Sequence, residues 1–200
     1  MVRNIKRFPL IITAVAFAAS ILCACGSDKV SETKITVNKD GTIFNVICDG
    51  FEKDYYQLSE LEDMAAKEIT YYNSEYSTPR ITLEESVVSE DGEVSLKISY
   101  SNYIDYSHFN QVTFFFGTVD EASSRGFSLP GDLVSPEGDK MVLDEIENLN
   151  ERHVIISGDK TKIEAPYNIS YVSRGVSVMD KKEADFSAVT DDAAWLLLSK

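Results

Sequence analysis

The sequence predicts an α+β fold: an antiparallel sheet built from hairpins with one main helix packed on it, followed by a compact all-β C-terminal portion. Three observations carry this. Period-two alternation surrounds two Asp-Gly turns, at Asp40-Gly41 and Asp91-Gly92, and Asp-Gly supplies the positive φ angles of tight hairpin turns. A single stretch, from Ser59 to Tyr76, repeats its apolar residues at helical spacing. From Arg152 onward, short β-like runs follow one another with turn residues between them.

In order along the chain, Lys34–Asn38 and Thr42–Ile47 form the first hairpin. Ile81–Val88 and Val94–Tyr100 form the second, with the cleanest alternation in the latter strand. Between them, Ser59-Glu60-Leu61-Glu62 reads as a capping box. Leu61, Met64, Ala65, Ile69, Tyr72 and Tyr76 then make one apolar stripe, which should lie on the hairpin sheet. Tyr103–Phe109 reads as a short helix or turn that feeds Val112–Phe116. That strand is apolar on both faces and is expected in the middle of a sheet covered from both sides. Thr118-Val119-Asp120-Glu121 is a second capping box, and Gly126 stops its helix within two turns. Pro130, Gly131, Pro136 and Gly138 mark a loop-rich crossing. The β-like runs are His153–Ser157, Lys162–Ala165, Ile169–Ser173, Val176–Met179, Ala184–Val189 and Ala194–Ser199.

The N-terminus carries an address. Arg3, Lys6 and Arg7 precede an uncharged apolar run from Phe8 to Leu22, which suits a signal-peptide core and falls short of the roughly 18 to 20 residues of a spanning helix. The run closes on Leu22-Cys23-Ala24-Cys25-Gly26, which resembles the lipobox of bacterial lipoproteins. The resemblance implies cleavage before Cys25 and a diacylglycerol on its thiol. Cys23 is the poorer candidate because Leu22 is too large for the small residue the lipobox places before its cysteine. The expected organisation is a signal peptide over 1–24, a lipidated tether over 25–32, an α+β portion over 33–128 and a mostly-β portion over 129–200, the last two forming one compact unit. Two acyl chains anchor stably without further membrane signals, so the partner expected first is the membrane, at the extracytoplasmic face.

The whole chain has a formal net charge of −14, and loss of Arg3, Lys6 and Arg7 with the leader takes the mature domain to −17. This argues against nucleic acid, whose binding depends on clustered Lys and Arg, and leaves neutral or cationic glycans or peptides as ligands. Of three cysteines, only Cys48 remains after processing and lipidation, so no intrachain disulfide forms. Cys48 reads as a core residue on one strand face with Phe44 and Val46. His108 and His153 stand in separate elements, as a rim residue and a strand-start residue, and make no metal-binding pair. No cofactor is expected. The nearest approach to a nucleophile elbow, Gly126-Phe127-Ser128-Leu129-Pro130, lacks its final glycine. The ten tyrosines are bunched, and Tyr103 and Tyr106 are the candidate ligand-binding residues, since tyrosine couples an apolar body to a polar tip.

The chain also resembles a group of small, uncharacterised lipoproteins of Gram-positive bacteria. The likeness lies in the lipobox at Cys25, Ile35–Ile43, Phe51–Tyr56, Phe109–Val119 and Ile169–Ser173. It implies a cell-surface lipoprotein and carries over no site residue besides Cys25. The expected role is a non-enzymatic binding or envelope-organising domain, the alternative a hydrolase of wall glycan or peptide.

Overall fold

The computed structural model describes residues 32–53, 55–143 and 146–200. The expected signal peptide and Cys25 lie outside the described residues. The fold is α+β, with eleven strands in two sheets among the described residues. The strands are β1 (Lys34–Val37), β2 (Ile43–Gly50), β3 (Ile81–Val88), β4 (Glu93–Tyr100), β5 (Phe114–Thr118), β6 (His153–Ser157), β7 (Lys162–Glu164), β8 (Ile169–Val172), β9 (Ser177–Asp180), β10 (Glu183–Asp185) and β11 (Ala194–Leu198). The helices are α1 (Leu58–Asn73), α2 (Tyr103–Asn110) and α3 (Val119–Ser124).

Both hairpins form, and they join through β2 and β4, which pair antiparallel from Ile43↔Tyr100 to Gly50↔Glu93. The larger sheet then continues through β1 into the C-terminal portion, in the order β3-β4-β2-β1-β7-β10-β9. β1 pairs parallel with β7, a long-range junction within an otherwise antiparallel sheet. The smaller sheet has the order β5-β6-β11-β8.

Alternation along the smaller sheet divides the core into two layers. Phe114, Phe116, Ile155, Leu196 and Leu198 face the larger sheet and pack with Ile35, Ile43, Ile163 and Phe186. Phe115, Val154, Ile156, Trp195 and Leu197 face the other way, beneath α3, Leu133 and Met141. The two-sided apolarity of Val112–Phe116 thus reports two covered faces, but β5 lies at the sheet edge and not in its middle. α2 straddles that edge, with Tyr106 against Phe114 at 4.8 Å between ring centroids and Tyr103 against Phe115 at 4.9 Å.

The capping box at Thr118 forms as the sequence predicts. Glu121 N donates to Thr118 Oγ1, and Thr118 N donates to Glu121 Oε2. The one at Ser59 does not. α1 starts a turn's fraction earlier, with Gln57 in extended conformation as its N-cap, so Ser59 is already helical; Glu62 accepts from the Ser86 hydroxyl instead. The expected stripe on α1 is buried only at Ile69, while Met64 is 66 % exposed. Cys48 also departs from expectation. Ile43 and Asn45 are the buried residues of β2, so Cys48 shares the opposite, outer face with Phe44 and Val46 and is half-buried there. β10 is shorter than the apolar run around it, because the chain turns away at Phe186, whose ring is fully buried.

Candidate functional site

β2 and β4 run on past the end of β1, whose pairing with β2 stops at Lys34↔Val46. The inner face of this projecting end carries Ile47, Val94 and Leu96. What lies across from it is the first half of α1. A β-bulge between Leu83 and Glu85 sets Ser86 opposite Leu96 and Val88 opposite Val94, so Ser86 can reach Glu62 on the helix.

Between helix and strands lies an open groove of about 380 Å³. Its floor is Ile47, Val94 and Leu96; Leu61 and Met64 form the helix wall, and Phe51 and Tyr56 close one end. Phe51 stacks on Tyr56 at 5.2 Å, and the Phe51 amide donates to Gly92 O at 2.7 Å, which fixes the chain as it leaves β2. Gly92 takes φ +77°, the left-handed conformation the Asp-Gly turn requires. In the floor Val94 and Leu96 are buried, at 6 and 8 % exposure, and Ile47 is half-buried, whereas Tyr56 and Met64 are exposed. The polar rim contains Asp49, Gln57 and Glu60.

The second half of α1 is held firmly. Asn73 Oδ1 accepts from the amides of Arg80 and Ile81 at 2.8 and 3.1 Å, and its Nδ2 donates to Ile81 O at 2.8 Å. Tyr72 donates to Asp105 Oδ1 on α2, and Tyr76 donates to the Tyr72 hydroxyl at 3.3 Å. Burial, with the Tyr76 and Asp105 side chains, pushes the Tyr72 hydroxyl far up, so it stays protonated and able to donate. One end of the helix is therefore clamped, while the other spans the groove.

Tyr103 and Tyr106 do not form an open face. Tyr106 is 1 % exposed and donates to Asp159 Oδ2 at 3.2 Å; burial, with Asp159 nearby, drives its hydroxyl well above the usual tyrosine range. Tyr100 meets it edge-on at 4.9 Å and is pushed up to about 12 by burial, opposed by the Asn110 and Asn45 amides. Tyr103 is half-buried between Phe115 and Arg125, the guanidinium lying 5.4 Å from its ring. These rings fill the seam between α2 and the two core layers. His108 is exposed on α2, and His153 starts β6 between Phe116 and Tyr167, with Nδ1 2.9 Å from Lys200 O.

The groove residues Phe51, Tyr56, Leu61, Met64, Val94 and Leu96 are the ones sequence reasoning missed as a site. The signal was present in the pairing of Tyr55-Tyr56 with an apolar helix face directly behind it. Chemically the arrangement offers apolar surface and a carboxylate rim. Among the described residues, no group of three or more His, Cys, Asp or Glu side chains is placed to hold a metal ion, and no helix is long and apolar enough to cross a membrane. Comparison with family models, with curated proteins and with solved structures returns no match.

Proposed function

We propose that this protein is a lipid-anchored, extracytoplasmic and non-enzymatic binding module whose ligand site is the groove under the first half of α1. The observation that carries the reading is the unburied apolar face of that helix half, set across a floor of Ile47, Val94 and Leu96 with room for a ligand between them. A concavity lined mostly by apolar and aromatic side chains, with a few polar groups to orient the ligand, is the usual form of a small-ligand site. The lipobox-like Leu22–Gly26 supplies the membrane attachment.

Methionine-methyl NMR on the full chain in phosphatidylcholine nanodiscs tests this directly. Met64 lies in the groove wall, Met141 is buried in the second core layer and Met179 is exposed on β9. A screen of neutral and cationic apolar compounds and peptides should shift the Met64 methyl and leave Met141 and Met179 in place. A screen in which Met64 never moves, or moves only together with Met179, refutes the groove as the ligand site.

A further inference from the structure

We infer that the occupant of the groove is a cationic amphipathic peptide segment, met at the membrane surface. This rests on the groove being the ligand site and adds the chemistry of what fills it. The floor and walls demand apolar side chains. The chain that frames them demands positive charge: residues 49–63 hold six acids against Lys53, and residues 84–93 hold five acids and no base. Asp49 and Glu60 stand on the rim itself, and Glu52, Glu90, Asp91 and Glu93 are exposed around the Gly92 turn that abuts Phe51. A peptide with apolar residues on one face and Lys or Arg on the flanks satisfies both demands at once.

The same charges disfavour the other occupants. A second copy would set one acidic rim against another, and an anionic bilayer surface would be repelled. The path of the chain brings the tether close to the groove. Thr33 is clamped to β2, its hydroxyl accepting from Cys48 N at 3.0 Å and lying 3.3 Å from Cys48 O, and Thr161 Oγ1 donates to Thr33 O at 2.8 Å. The tether thus enters the fold beside Cys48, one residue from Asp49 at the groove rim. Residues 26–32 reach at most about 25 Å when extended, so an anchor at Cys25 holds this end of the domain near the bilayer, where amphipathic cationic peptides concentrate.

The test uses the full chain in phosphatidylcholine nanodiscs, with empty discs to subtract peptide partitioning into lipid. The probes are an 18-residue leucine/lysine amphipathic peptide and its leucine/glutamate counterpart. The lysine peptide should shift the Met64 methyl and leave Met179 unmoved. Its affinity should fall at least tenfold in Met64→Arg and severalfold in Asp49→Asn/Glu60→Gln, each variant melting like the parent. Equal binding of the glutamate peptide, or an unaffected Met64→Arg, overturns the inference. If neutral apolar compounds shift Met64 and the lysine peptide does not, the groove stands and the cationic peptide falls; if neither does, both fall. Direct nuclear Overhauser contact between the Met64 methyl and lipid acyl chains, without peptide, identifies the bilayer as the occupant and likewise overturns it.

Discussion

The Tyr72 hydroxyl donates to Asp105 Oδ1 at 3.1 Å, and together with the edge-on contact of the Tyr72 ring with Phe109 at 5.8 Å this bond ties α1 to α2. Asp105 is only 3 % exposed, and among the described residues its Oδ2 has no hydrogen-bond partner. Removing the hydroxyl in Tyr72→Phe leaves the buried Asp105 side chain without this donor, at a cost of about 1–3 kcal/mol. The melting temperature should fall by roughly 2–4 °C for each kcal/mol lost at this chain size, and an unchanged melting curve would show that the tie carries no stability.

Met64 and Ile69 occupy the same helix but opposite situations. Met64→Asp places its charge in water and should alter stability by no more than about 0.5 kcal/mol. Ile69→Asp buries a charge against the larger sheet and should cost several kcal/mol, enough to unfold a domain of ordinary stability. Circular-dichroism melts of the two variants decide it: a collapsed Met64→Asp variant would place the helix face wrongly.

Burial lifts the Asp159 carboxyl above its ordinary 3.8, against the opposing pull of the Tyr106 hydroxyl, Ser157 and Lys160. Folding therefore favours the protonated form. The stability Asp159 contributes is complete below the unfolded-state value and is lost as pH rises through the higher folded-state value. Asp159→Asn keeps the shape without the charge, so its melting temperature should gain on that of the parent as pH rises through and above the ordinary carboxyl range. A difference that stays flat or shrinks over this range contradicts the assignment.

Gly117 sits where a side chain has no room. A Cβ there would lie 2.6 Å from Glu121 Oε2 and 2.8 Å from Phe115 Cζ. Gly117→Ala must displace the capping carboxylate of α3 and also press on a fully buried ring, and should cost about 2 kcal/mol by chemical denaturation. A neutral substitution would mean that Glu121 moves away without loss.

For the proposed anchor, Cys25→Ala should abolish labelling by a clickable fatty acid and leave an unprocessed or released precursor. Labelling that persists, or that disappears only in Cys23→Ala, assigns the lipid elsewhere.

What the sequence revealed depended on how far apart the interacting residues lie. The box at Thr118 and Glu121 closes within one turn and was fully legible, as were the Asp-Gly hairpins. The α1 stripe was legible as a stripe, but periodicity gives the apolar face of a helix without saying what stands across from it. Ile69 meets the sheet and Met64 meets a gap. Phe114–Phe116 announced two covered faces because both parities are apolar, yet strand order is set by partners distant in sequence, and β5 ended at an edge. Composition offers Tyr106 as a ligand-binding residue, while the structure buries it with its hydroxyl donating a hydrogen bond to Asp159, 53 positions away. The groove was hidden for the same reason: its floor and lid come from three separate elements.

The parallel ladder between β1 and β7 has a consequence for biogenesis. Lys34 meets Lys162, so the larger sheet cannot close until some four-fifths of the chain is present in one compartment. Contacts of such sequence separation form slowly. A chain threaded N-terminus first through a translocation pore would thus remain export-competent for most of its passage, and the sheet would lock only after β7 had emerged on the far side.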